Sequence, residues 1–352
     1  SKSSYSYVDY LNNFSKKKYW KPEFKEDKSL TFKDVCNQTK FLLKKSLEKK
    51  LISDVPISLS LSGGIDSSIL AGLIKKEFKR NITSFSLIDQ SKYNEEKLIN
   101  DTQNFLDLKT NKIKIKYKNF LENLKSTIDY HNEPISTITY FVQNFLMKEV
   151  GKSKFKVIMS GTGADELFTG YYDHFLQFFS TIQNKKKRNL SINEWKKFVL
   201  PIIKNKSLRQ TSTYVKNKND RSHIYDNYKE NLKYTKFKIP FLFKEKKFCN
   251  NLLRNRMLNE LFYEITPVTL RHEDLNCMNY SIENRSPFLD TNLFKFANTI
   301  PTNFLIQEGF QKFVLRKTFK KIMHPNVANH RSKIGFNASL NLFIKSEKKN
   351  NL

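Results

Sequence analysis

The chain has little sulfur: of 352 residues only Cys36, Cys249 and Cys277 carry a thiol, far apart and with no CxxC pair. That excludes a disulfide framework and a cysteine zinc site, and fits a reducing cytoplasm. No stretch approaches the roughly eighteen consecutive apolar residues that a membrane-crossing helix needs. The opening residues, SKSSYSYVDYLNNFSKKKYW, contain no apolar core of a secretory signal. Acidic residues are scarce beside basic ones, 34 against 63, for a formal net charge of +29. Such a charge would suit nucleic acid, but runs such as Lys185–Arg188 and Lys246-Lys247 are scattered and carry no RNP-type or zinc-finger pattern. A solvated lysine surface is favoured over nucleic-acid binding, and an anionic membrane surface is no better supported. The P-loop pattern GxxxxGK[ST] is also missing.

What is present reads as a folded α/β chain. Thirty phenylalanines and sixteen tyrosines supply core for one to three domains. A helical period runs from Phe32 to Leu51, with Val35, Phe41, Leu42 and Leu47 recurring among lysines. Strands follow at Val55–Leu61, Ile82–Ile88, Lys112–Tyr117 and Phe155–Met159, and helices at Ser67–Lys79, Asn94–Leu106 and Leu121–Tyr130. The alternation predicts a doubly wound parallel sheet with ligands at the strand C-termini and additional C-terminal helices at Leu261–Met278 and Gly309–Met323. Residues 1–30 read as a linker-like segment anchored at Trp20 and Pro22, 31–345 as the domain and 346–352 as a tail. Within the domain, the Lys- and Asn-rich stretch 176–261 reads as a helical insertion.

Two turns carry chemistry. In SLSLSGGIDSSILAGLIKK (Ser58–Lys76), a strand runs into Gly63 and Gly64, whose amides can form an anion-binding nest. Asp66 is expected to N-cap the next helix, with the Ser67 and Ser68 hydroxyls at its positive end. An aspartate beside phosphates makes sense if it holds Mg²⁺. The second turn, VIMSGTGADELFTGYY (Val157–Tyr172), puts Asp165 and Glu166 after another strand. A bare GG-x-D would equally be an ordinary strand–helix turn, but the full S-G-G-x-D-S on this frame is more specific, and two Gly-flanked acids after two strands favour a metal over a helix N-terminus carboxylate pair. Ordinary packing is expected for His272, His324 and Cys277, and Arg285 is as good an ion-pair partner for Glu283 or Asp290 as a ligand.

SGGIDSS resembles the PP-loop of the ATP pyrophosphatases (the adenine nucleotide alpha-hydrolase-like fold), which cleave ATP between its α- and β-phosphates. Three more stretches are similar to the asparagine synthetase B type: VIMSGTGADELFTGYY, LRHEDLNCMNYSIENRSPFLD (Leu270–Asp290) and KFVLRKTFKKIMHPNVANHRSKIGF (Lys312–Phe336). The resemblance implies that Ser62, Gly63, Gly64, Asp66 and Ser67 cradle the departing phosphates of ATP, and that Asp66 and Asp165 hold Mg²⁺. It places Leu61, Ser86, Ser160 and Gly161 around the adenosine. It assigns Lys312 and Lys333 to the charge of phosphoryl transfer, with Arg316 supporting Lys312, and puts Glu273 and Asp274 near the acceptor.

The implied reaction is adenylation of a carboxylate, aspartate or a related acid, followed by transfer of ammonia. The family's amidotransferases carry a glutaminase domain that begins with a cysteine. KKYWKPEF resembles the linker after it and this chain is expected to lack that domain, so a glutaminase domain or subunit is the expected ammonia source, with free ammonia as the alternative. Thr162 stands where some asparagine synthetases have glutamate, which opens a sugar uronic acid as an alternative acceptor. A tRNA-modifying PP-loop enzyme and a non-catalytic scaffold are further alternatives.

Overall fold

The computed structural model describes residues 4–8, 14–18, 20–89, 94–220, 223–224, 244–335 and 338–350. Strands β1 (Ser4–Val8) and β2 (Phe14–Lys18) form an antiparallel hairpin. The main sheet has five strands: β3 (Ile57–Ser60), β4 (Thr83–Ile88), β5 (Lys109–Lys114), β6 (Val157–Met159) and β7 (Glu283–Arg285). All its pairs are parallel, in the order β5-β4-β3-β6-β7. The chain moves one way from β3 to β5 and then returns to the other side of β3, so the order reverses between β3 and β6. Loops leaving neighbouring strands at such a switch point diverge to opposite faces and leave a crevice between them.

The expected doubly wound sheet is therefore present, and side-chain alternation explains it. Phe85 and Leu87 in β4 and Ile158 in β6 face one apolar cluster, with Phe141, Leu146 and Phe343. Ile88 and Met159 face the other, with Leu43, Ile69 and Leu315. A strand with both faces buried sends successive residues into separate layers. Helices α1 (Phe32–Lys50), α2 (Ile65–Gly72) and α3 (Glu96–Leu106) serve one layer. Helices α4 (Phe120–His131) and α5 (Ile138–Gly151) serve the other.

Several boundaries differ from expectation. The third sheet strand begins at Lys109 rather than Lys112, because β5 is a polar edge whose pairing with β4 leaves no apolar period to read. Strand β7 was not anticipated: Glu283, Asn284 and Arg285 are polar, and backbone pairing with β6 alone makes them a strand. Helix α2 is capped by Gly64, not by Asp66, whose side chain makes no cap bond. Beyond the second turn come α6 (Ala164–Phe168), α7 (Tyr172–Thr181) and α8 (Lys185–Phe198). Residues 221–222 and 225–243 of the proposed insertion lie outside the described residues. Trp20 is tied down, its ring 5.6 Å from Phe262 and 5.9 Å from Phe294. No helix among the described residues is long and apolar enough to cross a membrane.

Arg285 belongs to the fold. Its guanidinium grips Glu283 at 2.6 Å, and Nη1 donates to the carbonyls of Lys50 at 2.8 Å and Ile52 at 2.7 Å. The first of these ends α1 and the second lies just beyond its cap at Leu51, so the edge strand satisfies an acceptor that the helix leaves open. Arg285→Leu should lower stability by about 2 kcal/mol, read as a fall in the thermal midpoint. An unchanged midpoint would remove the clamp from the account.

Candidate active site at the strand switch point

The loops after β3 and β6 meet above the crevice. In the first, the Ser62 hydroxyl accepts from Gly64 N–H at 3.2 Å and lies 3.1 Å from the Ser67 hydroxyl. The first helical bond of α2 is Ser68 N–H to Gly64, which leaves the amides of Ile65–Ser67 outside the ladder at the helix's positive end. The Gly63 amide is engaged otherwise: it donates to Glu95 Oε2 at 2.9 Å.

Asp66 and Asp165 arrive from these two loops and share one partner. Lys312 Nζ sits 2.6 Å from Asp66 Oδ2 and 2.6 Å from Asp165 Oδ1, while Lys333 Nζ is 3.3 Å from Asp165 Oδ2. Lys312 adopts a left-handed backbone, φ 54°, just before the helix Phe313–Phe319, and its amide donates to Thr169 Oγ1 at 3.2 Å. Such a φ is strained for a lysine and persists because both ends of the residue are held. Room for the ion pair comes from Gly170, where a Cβ would lie 1.5 Å from Asp165 Oδ1.

Burial raises the Asp66 pKa, opposed by Lys312. Burial also acts against ionised Asp165, but Lys312 and Lys333 together prevail and hold that acid below its ordinary range. Lys312 is desolvated as well, and the two carboxylates more than offset this, keeping it above the usual lysine value. Asp66 Oδ1 is buried without a partner. Two hard oxygen ligands, one of them unsatisfied, suit Mg²⁺, which Asp66 and Asp165 would hold.

The pair divides two compartments. On one side is a cavity of about 230 Å³ with an apolar wall of Leu146, Met147 and Ile158 and a polar wall that includes Thr162, Glu273, Asn276 and Asn284. On the other is a cleft of about 40 Å³ bordered by Gly63, Gly64, Lys312, Arg316, Arg331 and Lys333. The larger cavity has no lysine or arginine among its described lining residues, whereas the cleft has four of them.

The polar wall is a hydrogen-bonded chain. The Ser160 hydroxyl donates to Thr162 Oγ1 at 3.0 Å, Thr162 donates to Glu273 Oε1 at 2.7 Å, and Asn284 donates to Oε2 at 2.9 Å. Thr162 itself is uncharged, and the carboxylate it bonds, Glu273, comes from the helix Thr266–Met278. Burial pushes Glu273 up to about 7, against the pull of those two bonds.

The expected residues do not all converge. Ser62, Asp66, Ser67, Ser160, Gly161 and Glu273 line the cavity, and Gly63, Gly64, Lys312 and Lys333 line the cleft. Leu61 and Ser86 line neither; both are fully buried, and the Ser86 hydroxyl donates to the Leu61 carbonyl at 2.7 Å. Asp274 is exposed, turned away from the cavity by one helical step. Arg316 donates to the Gln311 and Ala328 carbonyls rather than bracing the Lys312 ammonium. His272 stacks on Tyr140 at 4.5 Å, as ordinary packing requires.

Glu95, Asn284 and Arg331 were not anticipated. Arg331 stacks its guanidinium 4.1 Å from the Phe198 ring and 3.8 Å from Phe310. Asn284 and Arg331 stood inside recognised motifs, but nothing in the YNEE stretch marked Glu95.

Between pH about 4.5 and about 7 the folded protein retains the Glu273 proton that the unfolded chain has released, so this group's contribution to stability falls as pH rises through that window. Glu273→Gln should flatten the slope of thermal midpoint against pH there. An unaltered slope would mean that Glu273 titrates normally.

The asparagine synthase family profile matches residues 38–349. Glutamine-hydrolysing asparagine synthetase 1 of Bacillus subtilis is 26% identical over 349 residues, covering 94% of this chain and 54% of that protein. Asparagine synthetase 3 of the same organism is 25% identical over 330 residues, covering 88% and 49%. The NMN synthetase of Francisella tularensis aligns over 67% of this chain and 96% of its own at 16% identity, but its TM-score of 0.27 carries no weight. The chain spans about half the length of the curated relatives it matches. With its profile matched from residue 38 to residue 349, the chain belongs to the asparagine synthase family.

Proposed function

We propose that the chain is an ATP-dependent amide-forming synthetase: a carboxylate takes AMP from ATP, pyrophosphate leaves, and ammonia displaces AMP. The observation that carries this reading is the meeting of Asp66, Asp165, Lys312 and Lys333 between a cationic cleft and an uncharged-to-acidic cavity. Polyphosphate belongs in the cleft, adenosine against the apolar wall, and the acceptor against Thr162 and Glu273. Mg²⁺ at Asp66 and Asp165 would neutralise phosphate charge when bound.

The chain's own residues then act in order. A carboxylate oxygen attacks the α-phosphorus in line, and the bond to the β-phosphate breaks. Lys312 and Lys333 bring two positive charges to the point where negative charge grows on those oxygens. Ammonia next attacks the acyl carbon and AMP departs. Glu273, with its proton affinity raised to about 7, takes the released proton at Oε1, directly or through the Thr162 hydroxyl.

One observation favours a hydroxyl-rich acceptor such as a uronic acid. Aspartate would bring an α-carboxylate into a cavity with no lysine or arginine among its described lining residues. The neutral groups of Thr162, Asn276 and Asn284 suit hydroxyls better. A glutaminase domain or subunit supplying the ammonia is part of the same proposal.

The test is AMP formation with ammonia against a panel of aspartate and uronic acid derivatives, with ATP–pyrophosphate exchange as the partial reaction. Lys333→Ala should reduce exchange by roughly 10²–10³-fold in a folded protein. Gly170→Ala, which must displace Asp165, should cost on the order of 10²-fold. AMP from no carboxylate would overturn the reading, and tRNA-dependent AMP would replace it with RNA modification.

A further inference from the structure

Lys333 approaches Asp165 on a strap, residues 332–335, that crosses the glycine loop. Ile334 lies directly against that loop: a Cβ on Gly63 would meet Ile334 Cγ2 at 3.2 Å, and one on Gly64 would meet the Ile334 carbonyl at 3.3 Å. On its own side, the Lys333 amide donates to the Tyr172 hydroxyl at 3.1 Å, and Nζ rests 3.4 Å from the Tyr171 ring centroid. Two residues further on, the Gly335 amide donates to Glu95 Oε1 at 3.1 Å. The other oxygen of the same carboxylate accepts from Gly63 at 2.9 Å.

We propose that Glu95 is a positioning residue for phosphoryl transfer, its two carboxylate oxygens clasping the glycine loop to the strap and so holding Lys333 against Asp165. This rests on the ATP reading above. Glu95 lines neither the cavity nor the cleft, so it acts through Lys333 rather than on the nucleotide. An acid next to a loop that faces polyphosphate opposes anion binding through like charge when ionised, and burial pushes Glu95 up to about 7. Its presence is explained by the need for two acceptors: two N–H groups from distant segments must be satisfied by one side chain, and a carboxylate has an oxygen for each. A glutamine has one acceptor, and its NH₂ would face the second N–H donor to donor. Without the clasp, the strap is anchored through its backbone on the Tyr172 side of Lys333 but released on the Gly335 side.

Two measurements on the whole chain test this: hydrogen exchange of the 332–335 amides, and calorimetric binding of inorganic pyrophosphate with Mg²⁺. Glu95→Gln should speed exchange of the strap and weaken pyrophosphate binding about tenfold. Glu96→Gln, whose nearest cation among the described residues is Lys112 at 3.9 Å, should match the wild type in both. Glu95→Asp, one methylene shorter and able to reach only one of the amides, gives the same reading if the glutamine variant does not fold. Acting through Lys333 has a signature that a general loss of structure lacks: in a Lys333→Ala background, Glu95→Gln should change pyrophosphate affinity less than about twofold. Unaltered strap exchange in a folded Glu95→Gln protein would overturn the proposal, as would additive effects of the two substitutions. Wild-type protein that binds neither pyrophosphate nor Mg–ATP would sink the ATP reading and this proposal with it. Normal wild-type binding left intact by Glu95→Gln would sink this proposal alone.

Discussion

Two aspartates at the ends of neighbouring strands repel one another, and the arrangement exists because Lys312 stands 2.6 Å from both. Removing one partner from a buried ion cluster leaves uncompensated charge, a loss of roughly 3–5 kcal/mol. Lys312 is 7% exposed, so solvent cannot take its place. The backbone is bent to suit: Lys312 and Thr169 both adopt positive φ, and Thr169 Oγ1 accepts the Lys312 amide. This ammonium offsets the repulsion between the acids that the β3 and β6 loops bring together.

The same cluster separates two environments. Two acids and two ammonium groups sum to no net charge, yet the cleft beyond them is cationic and the cavity before them is not. A molecule with a polyphosphate at one end and an uncharged face at the other can enter in only one orientation without burying unpaired charge. The overall charge of +29 plays no evident part in this, because the site uses a few lysines and arginines held by named partners. Glu273 completes the asymmetry by supplying, from a helix far along the chain, the acid that Thr162 does not.

Much of the site was legible because its signals are local. SGGIDSS and SGTGADE mark themselves as strand-to-helix turns by glycine and acid at fixed offsets, and the strands before them show an apolar period. Position within a turn was less legible. Asp66 looked like a cap, yet the helix starts two residues earlier than that reading requires and Gly64 takes the role. Glu273 and Asp274 are adjacent acids in one motif, and helical phase alone decides that the first is buried and the second exposed. Ser86 and Leu61 match the motif positions but face inward and bond each other.

The sequence by itself determined the sheet class and the family, and it marked Asp66, Asp165, Lys312 and Lys333 as candidates, because each signal sits in a short local motif. Tertiary structure alone decided that β7 is a strand, that Lys312 bridges both acids, and that Glu95 ties loop to strap. Those contacts join residues 246 positions apart at Asp66–Lys312 and 240 apart at Glu95–Gly335. No local pattern encodes a bond of that span. It exists only once two packed layers have brought the strand ends together.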